Sequence, residues 1–349
     1  MIIPTTFLVA ISGVAAYAGA PYDFTPDNAA QPLDAGIPLS TNWTALQNVQ
    51  GNSFWSSSFV TATNDRQYLI LSHYLTVANF SGLWSGSILD IGNPSEYVTH
   101  SEAVTDTPFI TSPNGRFDVE YSNFTYQALS DDSISVLQTT SITEAYTYNI
   151  THTTSSETLL NWGGNPWQWG NDPTTQWSSP RNRVEGTFSL NDGETLTIDP
   201  ERSFTWYDRQ IVNSTIVGLW TWFELHFPQD EIYASIWSIE LPNNETERFA
   251  TIKTPYGTHL TPYTLVEDEE SRWTSEKTGK SYYSKWVLEF PSGDSLSVRQ
   301  PALGQEMHLV SPTINRTEIE AFVLVEQTTL LGQELSGGWG LVEIAAEET

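Results

Sequence analysis

The sequence predicts an all-β protein, and three observations carry that expectation. From about Asn42 onward, short segments alternate apolar and polar residues and end in turn residues. The dipeptides Asn114-Gly115 and Asp192-Gly193 are hairpin signals between such segments. No long amphipathic helical pattern appears in the 349 residues. That length exceeds one small core and fits two antiparallel β-barrel or sandwich domains of about 150 residues each.

Residues 1–20 carry no charge, hold the apolar run Phe7 to Ile11, and place small residues at Ala16, Ala18 and Ala20. This is the pattern of a secretory signal peptide cleaved after Ala18 or Ala20. Pro4, Ser12 and Gly13 interrupt the segment and argue against a retained membrane anchor. Residues 21–40, rich in Pro, Ala, Asp and Gly, read as an irregular lead-in.

An N-terminal β-domain is expected over 41–200, with strands at 53–61, 67–77, 117–126, 133–140, 145–154 and 195–198. The turn at Asn191-Asp192-Gly193 sets a boundary near residue 200. A C-terminal β-domain over 201–349 follows, with strands at 203–210, 219–227, 232–239, 248–253, 285–290, 295–299, 318–324 and 339–344. Residues 161–170 (NWGGNPWQWG) are too dense in Gly and Pro for a strand and read as a loop. Leaving its three indoles in water is unfavourable by about 1.5–3 kcal/mol each, so the loop must fold onto the core or a cavity mouth.

Composition removes several function classes. Acidic residues outnumber basic ones 42 to 14, for a net charge of -28. Only Arg66, Arg116, Arg181 and Arg183 occur before residue 200, and no lysine precedes Lys253. Such a surface repels nucleic acid and anionic headgroups, and no membrane association is expected once the leader is removed. Cysteine is absent, which excludes disulfides, thiolate metal sites and a Cys nucleophile. His73, His100, His152, His259 and His308 show no ligand spacing, so no metal is expected. His73, in an apolar strand, reads as a core histidine. No phosphate loop or nucleophile elbow is present, and no cofactor is expected. Asn42, Asn79, Asn123, Asn149, Asn213, Asn244 and Asn315 each begin an Asn-x-Ser/Thr glycosylation signal, in keeping with export.

The chemistry centres on two runs, Ser203 to Gln210 (SFTWYDRQ) and Leu219 to Phe227 (LWTWFELHF). In strands, alternation puts Trp206, Asp208 and Gln210 on one face and Tyr207 and Arg209 on the other. Trp220, Trp222, Glu224 and His226 likewise share a face. Rings beside a carboxylate and an imidazole suit the lining of a ligand cavity. The competing readings are an Asp208–Arg ion pair and a solvated Glu224 and His226.

Several stretches carry a family resemblance: Ser53-Phe54-Trp55, Tyr68 to Tyr74 (YLILSHY), Trp167-Gln168-Trp169-Gly170, Trp206 to Gln210, Trp220 to Phe223 and Trp286 to Asp294 (WVLEFPSGD). In this order they resemble fungal kievitone hydratase-like proteins. These are similar in turn to bacterial carotenoid 1,2-hydratases and to lipocalin-like fungal Diels–Alderases. The resemblance implies two lipocalin-like β-barrel domains with a pocket in or between them. The family pattern after the central aspartate runs into Trp-Gly, where this chain has Ile211-Val212.

Three functions follow as expectations. The first is a secreted hydratase acting on a small apolar or prenylated substrate. The second is a Diels–Alderase-type pericyclase, and the third a non-catalytic lipocalin-like or lectin-like binder. Hydration of a trisubstituted alkene needs a neutral carboxylic acid to protonate carbon, aromatic faces to shield a tertiary cation (about 2 kcal/mol when dry), and a base to guide water. Asp208 is the candidate proton donor, and Glu224 or His226 would orient the water. Trp55, Trp167, Trp169, Trp206, Tyr207, Trp220 and Trp222 are the candidate substrate-binding residues.

Overall fold

The structure, a computed structural model, describes residues 22–28, 51–76, 82–104, 116–170, 172–191, 193–212, 218–243, 245–310 and 315–345. The described residues hold strands and short 3-10 turns and no α-helix. The strands form two large antiparallel sheets. In the first the order is Val98–Val104, Gly82–Asp90, Gln67–Thr76, Gly51–Thr61, Phe204–Val212, Asp172–Leu190, Tyr146–Thr153, Val136–Ile142, Phe124–Ala128 and Asp118–Glu120. In the second it is Gly257–Thr261, Thr246–Thr254, Ile232–Glu240, Trp220–Phe227, Gly338–Ala345, Asn315–Leu330, Ser295–Arg299, Lys285–Glu289 and Thr264–Glu267. This is the all-β architecture that the alternation predicts, in the lipocalin-like form that the family resemblance implies.

Each sheet curls around its own core. Phe223, Leu225, Ile236, Trp286 and Val323 fill the second sheet, and two clusters around Tyr126 and Tyr148 fill the first. A further cluster lies where the sheets meet, built from Trp55, Phe59, Trp206, Trp222, Trp237, Phe322 and Trp339. Strands at this junction are buried on both faces, as in Gly51–Thr61 and Trp220–Phe227. Along them side-chain alternation separates two interiors, one within a sheet and one between the sheets.

Residues 22–28 cross the junction as an extended strap. Phe24 packs on Phe59 and Phe204 of the first sheet and on Trp339 of the second. Asp27 accepts hydrogen bonds from Ser156 on one side and Tyr233 on the other, at 2.9 and 2.8 Å.

Four sequence expectations need correcting. The changeover between sheets falls after Val212, later than residue 200, because Phe204–Val212 pairs with Gly51–Thr61 and Asp172–Leu190. The longest strand, Asp172–Leu190, is not predicted at all. Pro173, Pro180 and Gly186 interrupt its pattern, and its register shifts between Ser179 and Asn182. Within the expected loop, Trp167–Trp169 forms a short strand against Asp172–Leu190, with both indoles turned inward and Gln168 outward. The segment just before it turns through left-handed backbone at Trp162 and Gly163. The expected strand at 117–126 is two strands joined at Tyr121 to Asn123.

The leader, and Asn42, Asn79, Asn213 and Asn244, lie outside the described residues, as does Asn114-Gly115. Asn149 is exposed, and Asn123 is half-buried with its amide donating to Glu102 at 3.2 Å. Asn315 begins a strand.

Candidate active site

Two facing rows of side chains build the site. In the first sheet the register runs His73, Trp55, Asp208, Ser178 across four adjacent strands. In the second it runs Glu320, Glu343, Trp222, Trp237. Directly paired residues share a face of a sheet, and here those faces look at each other. Trp55 meets Trp222 edge-on at 5.1 Å, and its indole N–H donates to Glu320 Oε1 at 3.2 Å. Between the rows lies a chamber of about 30 Å³, lined by Trp55, His73, Gln176, Asp208, Gln210, Trp222, Trp237 and Glu343 among others. That volume is room for about two water molecules.

Asp208 is buried and held by neutral donors alone. Trp206 Nε1 donates to Oδ1 at 2.9 Å and Gln176 Nε2 to Oδ2 at 2.7 Å. Burial pushes its pKa up to about 7, against the opposing pull of hydrogen bonds from Ser178, Trp206 and Gln176. Arg209 does not reach it. As alternation requires, its guanidinium lies on the other face over Phe54 and donates to Asn52 Oδ1 at 2.6 Å. The ion-pair reading of Asp208 is therefore set aside.

Glu343, on the opposite wall, accepts from Trp220 Nε1 at 2.6 Å. Burial and the nearby Glu318 push its carboxyl up to about 8. Its register partner Glu320 is held well above the ordinary glutamate value by burial and by the charge of Glu343. Arg316 lies over the Trp220 ring at 5.2 Å and pairs with Glu318 at 2.7 Å. His73 contacts Ser53 Oγ through Nε2 at 2.9 Å, and burial with the Arg316 charge takes its pKa down to about 3. It is a neutral imidazole at physiological pH. His73 and Arg316 also line a second cavity of about 30 Å³, walled by Leu75, Leu83, Trp84, Met307 and Leu309.

The predicted site residues separate into groups. Trp55, Trp169, Trp220 and Trp222 line the chamber with Asp208. Trp206 lies behind it, bonded to Asp208 and packed on Trp222. Trp167 is one layer further out against Trp237 and Phe249. Tyr207 is a correction. It points into the first sheet's own core, against Trp177 and His152, because it sits one residue from Asp208 on a strand.

Glu224 and His226 are also corrected in part. Both are fully buried, so neither is solvated, but neither lines the chamber. They form a closed dyad. His226 Nε2 and Glu224 Oε1 lie 2.7 Å apart, and Ser57 donates to Glu224 Oε2 at 2.7 Å. Burial raises the pKa of the glutamate and lowers that of the histidine, which biases each toward its neutral form.

Glu320, Glu343, Gln176, Arg316 and Trp237 are missed by the sequence reading, and His73 is misread as core. A signal for two of them exists. The run Glu318 to Leu324 and the run Trp339 to Glu343 both put carboxylates on the same strand face as aromatic or aliphatic residues, the feature that singles out Leu219 to Phe227.

The chain is 29% identical to kievitone hydratase of Fusarium solani subsp. phaseoli over 328 residues, 93% of this chain and 91% of that protein. It is 28% identical to dehydratase asqC of Emericella nidulans, over 97% of this chain and 98% of that one. The crystal structure of kievitone hydratase from Nectria haematococca superposes with a TM-score of 0.83 at 29% identity, covering 94% of this chain and 99% of the other. CghA, at 11% identity and a TM-score of 0.60 over 93% of this chain and 97% of its own, shares the fold alone. No family model matches the sequence. The protein is a homologue of kievitone hydratase along most of its length, built on the same two-sheet, lipocalin-like scaffold.

Proposed function

We propose that this protein is a secreted hydro-lyase that adds water to an isoprenoid double bond of a small apolar or phenolic natural product, or removes it in reverse. One observation carries the reading. A buried carboxyl group, held by an indole and an amide and by no cation, faces an aromatic chamber with its pKa near 7. A cationic partner would lock Asp208 ionised, whereas neutral donors leave it able to hold a proton. With both oxygens accepting hydrogen bonds, its own O–H is left to point at the chamber.

Protonating an alkene carbon from Asp208 leaves a tertiary cation among Trp55, Trp169, Trp222 and Trp237. Their faces stabilise positive charge where water would otherwise do so, by about 2 kcal/mol in a dry site. Microscopic reversibility makes the ionised Asp208 the base that takes the proton from carbon in dehydration, while the group that deprotonates water in hydration protonates the departing hydroxyl, so one machinery serves both directions. The apolar cavity walled by Leu75, Leu83, Trp84, Met307 and Leu309 shares His73 and Arg316 with the chamber, so a prenyl tail larger than either space of about 30 Å³ would draw on both. Export is supported by the leader-like first 20 residues and the exposed sequon at Asn149.

The test is incubation of the purified protein with a panel of prenylated isoflavonoids and their hydrates, followed by mass spectrometry for gain or loss of one water. Asp208→Asn is expected to lower turnover by about 100-fold or more while leaving substrate affinity within a few-fold. Appreciable residual rate in that variant would favour a pericyclic reaction, which needs shape more than a proton. No turnover of any panel member by the unaltered protein would leave a carrier.

A further inference from the structure

Two observations about the chamber go beyond its proton donor. The acids stand on opposite walls, Asp208 on the first sheet and Glu343 on the second. Glu343 also sits directly opposite Glu320 on the neighbouring strand, where paired side chains have Cβ atoms about 5 Å apart. Two carboxylates at such a distance repel, so the pair retains a proton into the neutral range. Separately, Gln176 Oε1, Gln210 Nε2 and Glu320 Oε2 are buried without a protein partner, and both glutamines line the chamber. Gln210 offers a donor and Gln176 an acceptor, the two contacts that fix an oxygen of substrate or water in place.

We propose that Glu343 is the second catalytic group, the base facing Asp208 across the chamber, and that it shares one proton with Glu320. The assignment rests on the hydro-lyase reading above. In the hydration direction the Asp208 O–H bond breaks and its proton forms a C–H bond with the alkene π electrons. The oxygen of water then bonds to the cationic carbon and loses a proton to the Glu343 carboxylate. The pair is now doubly protonated and returns one proton to Asp208, so alkene and water give alcohol with nothing left over. Because acid and base occupy opposite walls, hydrogen and hydroxyl add to opposite faces. The singly ionised pair also puts a negative charge beside the cation.

The groups facing Glu343 are Glu320, Glu318 and Arg316 on the adjoining strand, Trp220 on the other side, and Asp208 and His73 across the chamber. Of these, Asp208 must stay protonated and Glu343 must be ionised. Because Asp208 is held to about 7 and Glu343 to about 8, a minority of molecules carries this combination; turnover should still fall along an acidic limb, as Glu343 takes up a proton, and along an alkaline limb, as Asp208 loses its own.

The experiment compares Glu343→Gln, Glu343→Asp and Glu320→Gln, using the prenylated isoflavonoid best turned over in the panel. Glu343→Gln is expected to lose about 100-fold or more in kcat at unchanged affinity and to lose the acidic limb while keeping the alkaline one. Glu343→Asp should restore that limb. Infrared titration of the free protein reads the shared proton without substrate. Glu320→Gln should move the Glu343 carboxyl signal to lower pH, since a like charge has gone.

An acidic limb that survives in Glu343→Gln at half the unaltered rate or more overturns the catalytic role. A Glu343 signal that does not move in Glu320→Gln overturns the shared proton. If the unaltered protein turns over no panel member, the hydro-lyase reading fails and takes the catalytic role with it, while the infrared result still decides the pair.

Discussion

The Trp55 indole donates to Glu320 across the junction of the sheets at 3.2 Å, joining residues 265 positions apart. The same device recurs twice nearby, from Trp206 to Asp208 and from Trp220 to Glu343. Each of these three acids thus receives a hydrogen bond from an indole, a donor that carries no charge. Arginine in the same places would satisfy the oxygens and also fix the acids as anions. Tryptophan pairs with one oxygen of each acid without fixing its charge.

Trp55→Phe tests that device. The phenyl ring retains contact with Trp222, but Glu320 loses its indole donor. Leaving a buried acceptor unpaired costs about 1–3 kcal/mol, and urea unfolding should show a loss in that range. A variant as stable as the original protein would mean that the bond contributes nothing.

Stability between pH 6.5 and 8 isolates the acids. Unfolded aspartate and glutamate release their protons near 3.8 and 4.5, whereas native Asp208 and Glu343 hold theirs to about 7 and about 8. The native state therefore binds more protons than the unfolded chain across that interval, and stability falls as pH rises. His73 and His152 act in the opposite sense. Burial takes both from 6.5 to about 3, so the stability they contribute is lost as pH falls and is complete above 6.5. Above 6.5 the buried acids remain, with Glu224 and Glu320, also raised by burial, acting in the same sense as Asp208 and Glu343. The Tm should drop between pH 6.5 and 8, and the drop should shrink in Asp208→Asn and in Glu343→Gln. A flat Tm over that interval would show that neither acid is protonated in the native state.

How far the sequence could have led depends on the kind of information each feature needs. Alternation is local, so the strand at 53–61 and the two faces of Phe204–Val212 are readable, and with them Asp208 beside Trp206 and away from Arg209. What faces Asp208 is not local. Glu320 and Glu343 lie on strands whose alternation, Glu-x-Glu and Leu-x-Glu, is equally that of a solvated face. Only the second sheet closing over the first turns it inward. Gln176 is hidden for another reason, since the prolines of Asp172–Leu190 disguise a strand that tolerates them through a register shift.

Gly340 sets how closely the second sheet's strands approach beside the Glu224–His226 dyad. A Cβ built there would fall 1.8 Å from the Glu224 carbonyl oxygen. Backbone cannot yield as a flexible side chain can, so Gly340→Ala must push Gly338–Ala345 away from Trp220–Phe227. A cost of about 3 kcal/mol or more is expected from overpacking of this kind, read as a large fall in Tm or as insoluble protein. Ordinary stability in that variant would show that the two strands have slack.

The strap at residues 22–28 supplies the last prediction. Phe24 is buried against Phe59 and Phe204 on one sheet and Trp339 on the other, at ring separations of 5.6, 6.2 and 5.0 Å. Trp339 in turn stacks on His226 at 4.8 Å, so the strap supports the floor on which the dyad rests. Phe24→Ala removes a ring shared by both sheets and should cost about 3–5 kcal/mol. Because that ring bridges the sheets, hydrogen exchange should accelerate first in Gly51–Thr61 and Gly338–Ala345, while the separate cores around Tyr126 and Leu288 keep their protection. Uniform acceleration across all strands would mean that the strap adds bulk stability without holding the two sheets in register around the chamber.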